Sequence, residues 1–216
     1  RVSRLSRIIR GMPSFRRLLS VDPSLSCSGW ALFTVDGGAI KAVGKIRSEK
    51  PSVPMAIRLE KLQSNIARII EALGLGKGDA LVCEAPTTMK DPHNAIKVEQ
   101  VRGLFESLGR ERGVTVPGRI NPRTVQYEVM GLRGKQLSRP EVKAAAVRTV
   151  EFLYADQLRQ LGLSELQKHQ DIVDAVLIGR LALLHIEAAR ASPAPRRGLL
   201  RGPTDRRSHG RALERR

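Results

Sequence analysis

Apolar positions along this chain fall into two rhythms, one short and continuous, the other helical. Residues 18–21 (LLSV) form an apolar run that ends in Asp22 and a loop of Pro, Ser and Gly. This reads as a buried strand that delivers one carboxylate to the mouth of a sheet. Residues 30–35 and 40–46 read as two further strands around Asp36-Gly37-Gly38, a hairpin signal, so the first three strands make an antiparallel meander. Over residues 54–73 the rhythm changes. Ile57, Leu62, Ile66, Ile69, Ile70 and Leu73 form the stripe of an amphipathic helix. A Gly-rich turn at 74–78 follows, and then a second buried run, 80–83, leads into Glu84. A strand–helix–strand crossover sets the Glu84 strand parallel to the first, with both acids at one edge of the sheet.

The rest of the chain alternates in the same manner. Helices are predicted at about 93–109 and 123–130, with a short strand at 114–116 between them. A basic loop spans 132–140, and Pro140 suits the first turn of a helix reaching about residue 153. Residues 154–167 are partly helical and broken at Gly162. The last long helix, from His169 or Gln170 to Ala191, carries Asp171 and Asp174 in its first turn. Three residues apart on a helix, these two share a face with Cβ atoms about 5–6 Å apart, and the positive helix start favours them. Strand-end Asp, strand-end Glu and a helical Asp pair make a four-carboxylate cluster suited to divalent metal.

Charge narrows the class of partner. The chain's 38 Lys and Arg against 21 Asp and Glu give a net charge of +17, which points to a polyanion, nucleic acid first. Six arginines and no acid lie in residues 1–17, and a Pro-, Gly- and Arg-rich stretch runs from 191 to 216. These read as a basic arm and a disordered basic tail around a domain at 18–190. The first eleven residues read as an upstream extension, with an Arg-rich transit peptide as the alternative. No apolar run nears the roughly 18 residues that span a bilayer. Cys27 and Cys83 form no metal-ligand spacing and fit a reducing compartment, Cys83 as a packing residue.

The order of elements resembles the ribonuclease H-like fold: an α/β protein whose mixed five-stranded sheet has three antiparallel strands, then parallel ones, flanked by helices. Within it the chain is similar to the RuvC family of Holliday-junction resolvases. The matching residues are Ser20-Val21-Asp22-Pro23-Ser24 with Gly29, Glu84, Asn94-Ala95-Ile96-Lys97 with Gln100, Arg102 and Gly103, and Asp171 with Asp174-Ala175. The resemblance implies a structure-selective endonuclease that acts as a homodimer and resolves four-way DNA junctions by paired symmetric nicks. Asp22, Glu84, Asp171 and Asp174 would then be the catalytic carboxylates. They would hold two Mg²⁺ ions, with Mn²⁺ as the alternative, since hard oxygen donors suit these cations. It implies a cytoplasmic bacterial or phage setting, or an organelle if residues 1–20 are a transit peptide, and leaves branch-migration proteins open as partners. The chain departs from the family in having no aromatic in the loop after Glu84, and Gln126 where some members place a lysine, with Arg139 at a later basic position.

Candidate phosphate contacts are Lys90, Lys97, Arg102, Arg123, Arg133, Lys135, Arg139 and Lys143, of which the 132–140 loop is the strongest group. Ile96, Val101, Leu104 and Phe105 share a helix face that is either core or dimer interface. His169, a single histidine before a helix, reads more readily as a capping or surface residue than as a catalytic one. Competing functions are a broader branched-DNA, flap or RNA-processing nuclease of the same fold, an actin-like ATP-binding domain, and a non-catalytic basic DNA-binding protein. The ATP-binding reading lacks a second Gly-rich phosphate loop.

Overall fold

A computed structural model of the chain describes residues 14–86, 91–133 and 137–191. Its elements run β1 (Arg17–Asp22), β2 (Cys27–Thr34), β3 (Ile40–Arg47), α1 (Met55–Ala72), β4 (Asp79–Glu84), α2 (Pro92–Glu111), β5 (Thr115–Ile120), α3 (Pro122–Glu128), α4 (Arg139–Gln160) and α5 (Gln170–Ala191), with a 3₁₀ turn at Leu166–Lys168. The sheet order is β3-β2-β1-β4-β5. β1, β2 and β3 pair antiparallel, while β4 and β5 run parallel to β1, as the crossover argument requires. β5 lies at the edge, where the missing N–H of Pro117 interrupts no inner ladder.

Period-two burial gives the sheet two apolar faces. Leu18, Ala31, Phe33, Ala80 and Val82 pack against α4 and α5 on one side. Leu19, Val21, Leu32, Leu81 and Cys83 pack against Leu62, Ile66 and Ile70 of α1 and Val101 and Phe105 of α2 on the other. α5 is buried along most of its length and lies across the middle of the first face. No helix among the described residues is long and apolar enough to cross a membrane.

Three local expectations change. β2 begins at Cys27, because its ladder to β3 already runs from Cys27↔Arg47, three residues before the apolar run starts. α4 continues through Tyr154 to Gln160: Val147, Val150, Tyr154 and Leu158 keep one buried stripe, and the chain turns at Gly162, where φ is +81°. The basic arm expected at 1–17 does not reach Arg17. Phe15 is buried. Arg17 opens β1, donates through Nη2 to the fully buried Asp79 carboxylate at 2.7 Å, and caps the Leu73 and Gly74 carbonyls. Arg16 donates to the Lys77 carbonyl. These two arginines close the α1–β4 turn, and the charge of Arg17, bound to Asp79, is committed within the fold. Residues 1–13 and 192–216 lie outside the described residues, together with Lys90 and Lys135.

Candidate active site

β1 and β4 bring two of the expected acids together. Their parallel register ends at Val21↔Cys83, so Asp22 and Glu84, the next residue of each, stand side by side at the carboxyl edge. Pro23 and Pro86 follow within two residues and help end both ladders there. α5 supplies the other pair. The His169 carbonyl accepts from the amides of Ile172 and Val173, which starts the helix and puts Asp171 and Asp174 on its first turn. His169 thus caps the helix through its backbone, as one of its expected roles had it, while its buried Nδ1 has no partner in the structure.

What brings that turn onto the strands is the absence of a side chain at Gly29. Gly29 is the β2 partner of Asp22, and a Cβ built on it would overlap the Asp171 carbonyl. Ser20, fully buried two residues before Asp22, fastens the contact by donating through Oγ to the Ala175 carbonyl at 2.7 Å, beside Asp174. Gly179 continues the close approach, since a Cβ there would meet Ser20 Oγ at 2.7 Å. The helix therefore touches β1 and β2 backbone to backbone, and its acids are placed relative to Asp22 with little slack.

The cluster is electrostatically strained. Burial pushes the Asp22 carboxyl well above its usual range, and Glu84, Asp174 and Asp171 each add repulsion, with Arg102 in opposition. Glu84 is pushed up to about 7, first by burial and then by Asp174, again against Arg102. Asp174 is raised by burial, while a 2.8 Å hydrogen bond from Gln170 Nε2 and the charges of Lys143 and Arg139 pull it down. An all-oxygen donor set whose members resist ionising together fits a hard divalent cation, which would remove the repulsion. Among the described residues, no three His, Cys, Asp or Glu side chains are gathered closely enough around one point to hold an ion as they stand.

Beside the acids opens a cleft of about 210 Å³. Glu84 and Asp174 form its acidic wall, with Gln126 of α3, Gln170 of α5 and Arg139 and Lys143 of α4 around them. The two cations face the cleft together because they lie four apart on one helix. That helix starts at Arg139 through a capping box, in which Glu141 accepts from the Ser138 amide at 2.8 Å. Cations and carboxylates lining one cleft are what a phosphodiester near a metal site requires.

The other expected phosphate contacts divide. Arg123 and Arg133 are exposed and Lys97 is half-buried. Arg102 is a correction: it is 1% exposed and has no free face for a phosphate. Its Nε donates to the Glu84 carbonyl at 2.6 Å and its guanidinium pairs with Glu99, which also binds Arg119; Arg119 in turn pairs with the buried Glu106. A buried cation thus supports the end of β4. On the same helix Val101 and Phe105 are core, and Ile96 is 59% exposed. Cys83 packs in the interior, where burial raises its thiol.

Two residues at the site escaped sequence reasoning. Gln170, four before Asp174, had a legible signal in its helical spacing. Lys45 of β3 had none, because its nearness to Asp171 depends on strand register: Nζ lies 3.3 Å from Asp171 Oδ2. The Cys27 thiol is raised chiefly by burial and next by its hydrogen bond to Asp171.

An α/β sheet of this order, with acids at the ends of β1 and β4 and on a helix crossing them, is a ribonuclease H-like fold. No protein-family model matches the chain. Among curated proteins, the crossover junction endodeoxyribonuclease RuvC of Erythrobacter litoralis is 31% identical over 119 residues, covering 54% of this chain and 70% of that protein. The protein of the same name from Chlorobium phaeovibrioides is 28% identical over 170 residues, covering 77% of this chain and 80% of its own. Among solved structures, Thermus thermophilus RuvC superposes with a TM-score of 0.59 at 20% identity, covering 81% of this chain and 95% of that one. The same protein in complex with a Holliday junction substrate gives 0.57 at 16% identity, over 81% and 96%. The chain belongs to the RuvC family.

Proposed function

We propose that this protein is a metal-dependent endonuclease that resolves four-way DNA junctions by paired symmetric nicks. One observation carries the reading: carboxylates from β1, β4 and α5 crowd together at one edge of the sheet, and two of them, Glu84 and Asp174, line a cleft that Arg139 and Lys143 line as well. The family assignment supports the substrate. Asp22, Glu84, Asp171 and Asp174 would hold the cation, Mg²⁺ or Mn²⁺ and two of them in our reading, with Asp22 central to the set. A bound ion of this kind supplies Lewis-acid charge and a water of lowered pKa. Arg139 and Lys143 take the non-bridging oxygens of the scissile phosphate and hold the strand against the acids. Water adds to phosphorus, the P–O3′ bond breaks, and the ends are a 5′ phosphate and a 3′ hydroxyl. Ser20, Gly29 and Arg102 touch no substrate. They keep α5 and the end of β4 at the spacing this displacement needs. Two symmetric cuts on a two-fold substrate call for two sites, hence a homodimer.

The test is cleavage of a labelled synthetic four-way junction with Mg²⁺ or Mn²⁺, comparing wild type with Asp22→Asn and Asp174→Asn. Paired symmetric nicks from wild type and none from either variant, with junction binding retained, are the expected result. Junction binding without nicks by the wild type under both metals would leave a DNA-binding protein and no enzyme. Equal cutting of flaps and junctions would keep the chemistry and remove the junction selectivity.

A further inference from the structure

One row of residues crosses the sheet beneath the start of α5. Lys45 on β3 pairs with Gly29 on β2, Gly29 pairs with Asp22 on β1, and Glu84 is the next position along, on β4. Directly opposed residues of paired strands point to the same face, so Lys45, Asp22 and Glu84 all face α5, and Gly29 leaves a gap between the cation and the anions. The first turn of α5 fills that gap, since the Asp171 carbonyl occupies the space a Gly29 side chain would take. The Asp171 carboxylate is its link to Lys45. Nζ stands 3.3 Å from Oδ2, with the lysine side chain 16% exposed, and it also donates to the Lys168 carbonyl at 3.4 Å. Among the described residues this is the one ion pair Asp171 makes.

From this placement we infer that Lys45 is a built-in counter-cation of the carboxylate site, neutralising Asp171 while the site is empty and thereby weakening the binding of divalent metal. The inference rests on the metal-site reading above and goes beyond it. Asp22, Glu84 and Asp174 are buried beside one another, and Asp171 adds a fourth negative charge against Asp22. A single ammonium at contact distance offsets part of that repulsion. The same positive charge repels an entering cation, because Coulomb interaction over a few ångströms at a half-buried site is only partly screened. Lys45 is therefore a positioning and tuning residue that acts through Asp171. Its removal has effects of opposite sign on the empty and the loaded protein.

The experiment compares Lys45→Met, Lys45→Gln and Lys45→Arg with wild type in the full chain. Thermal melts are run in EDTA and across a MnCl₂ titration, and Mn²⁺ binding is measured directly by calorimetry without DNA. Lys45→Met is expected to melt below wild type in EDTA and to bind Mn²⁺ roughly 3- to 10-fold more tightly. Its rise in Tm at a given Mn²⁺ concentration should be correspondingly larger. Lys45→Gln, which keeps a polar reach to Asp171 without the charge, should bind Mn²⁺ as Lys45→Met does, and Lys45→Arg should match wild type. Mn²⁺ affinity that is unchanged or weakened in both uncharged variants would overturn the inference and leave the metal site standing. Equal tightening in Lys45→Arg would also overturn it, since charge would then not be the cause. Wild type that neither binds nor is stabilised by Mn²⁺ would sink the metal-site reading itself, and the inference with it.

Discussion

The two faces of the sheet are built on different principles. Against α1 and α2 the contact is side chain to side chain: Leu19, Val21, Leu32 and Leu81 meet Leu62, Ile66, Val101 and Phe105. Large apolar groups keep the layers apart, and any set of similar volume would do the same. Against α5 the sheet offers Ser20, Gly29 and Ala31 at the centre, and the helix offers Ala175 and Gly179. There the backbones almost touch. The acids explain the difference. A helix held at side-chain distance could settle anywhere within about an ångström, and a displacement of that size at a reacting centre can cost about 10²-fold in rate. The backbone contact removes that freedom where Asp171 and Asp174 must meet Asp22.

Breaking each face in turn is the strongest test of the contrast. Gly29→Val should disable the site, with junction nicking per folded molecule down at least about 10²-fold and stability lower by about 3 kcal/mol from overpacking. Leu62→Ala on the opposite face should cost a similar 2–5 kcal/mol by cavity formation and leave nicking per folded molecule close to wild type. Denaturant melts and active-site titration on both proteins check this. Equal specific activities would show that the backbone contact carries no functional precision.

Arg102 sharpens the comparison, because it lies in the α2 layer and yet serves the site. Arg102→Met leaves the Glu84 carbonyl without its donor and Glu99 with Arg119 alone, and an unmet buried acceptor of this kind costs up to about 3 kcal/mol. In contrast to Leu62→Ala, the variant should also lose nicking per folded molecule, since the end of β4 is freed. A purely stabilising role would show the first effect alone.

The smallest effect expected comes from pH. A carboxyl whose pKa is higher folded than unfolded binds its proton more tightly in the folded state. Glu84 goes from a usual 4.5 to about 7, so the metal-free protein loses stability as pH rises through that interval. The loss is on the order of 2–3 kcal/mol. Melts in EDTA from pH 4 to 8 should show the decline, Glu84→Gln should make it shallower, with Asp22 and Asp174 supplying what remains, and saturating Mn²⁺ should offset it. A flat profile in the wild type would mean the acids are not mutually strained.

Much of this molecule was legible in one dimension. Strand and helix rhythms, the crossover that sets β4 parallel to β1, and the placing of Asp22 and Glu84 at strand ends all follow from local periodicity and chain handedness. So does the common face of Asp171 and Asp174. Each of these depends on a few neighbouring residues. Arg102 and Lys45 mark where that kind of information stops. Arg102 reads as a candidate phosphate contact and Lys45 carries no signal at all, and three-dimensional packing made one a buried support of the Glu84 strand and the other a partner of Asp171. Arg17 went the same way, because a buried Asp79 sixty-two residues later claims its charge. The pattern of apolar and acidic residues determined which elements form and which acids they carry, because backbone geometry is a local property. Which cation stands against which carboxylate was decided only by strand register and by the depth to which α5 settles over Gly29, since charges act through space without regard to their separation in the chain.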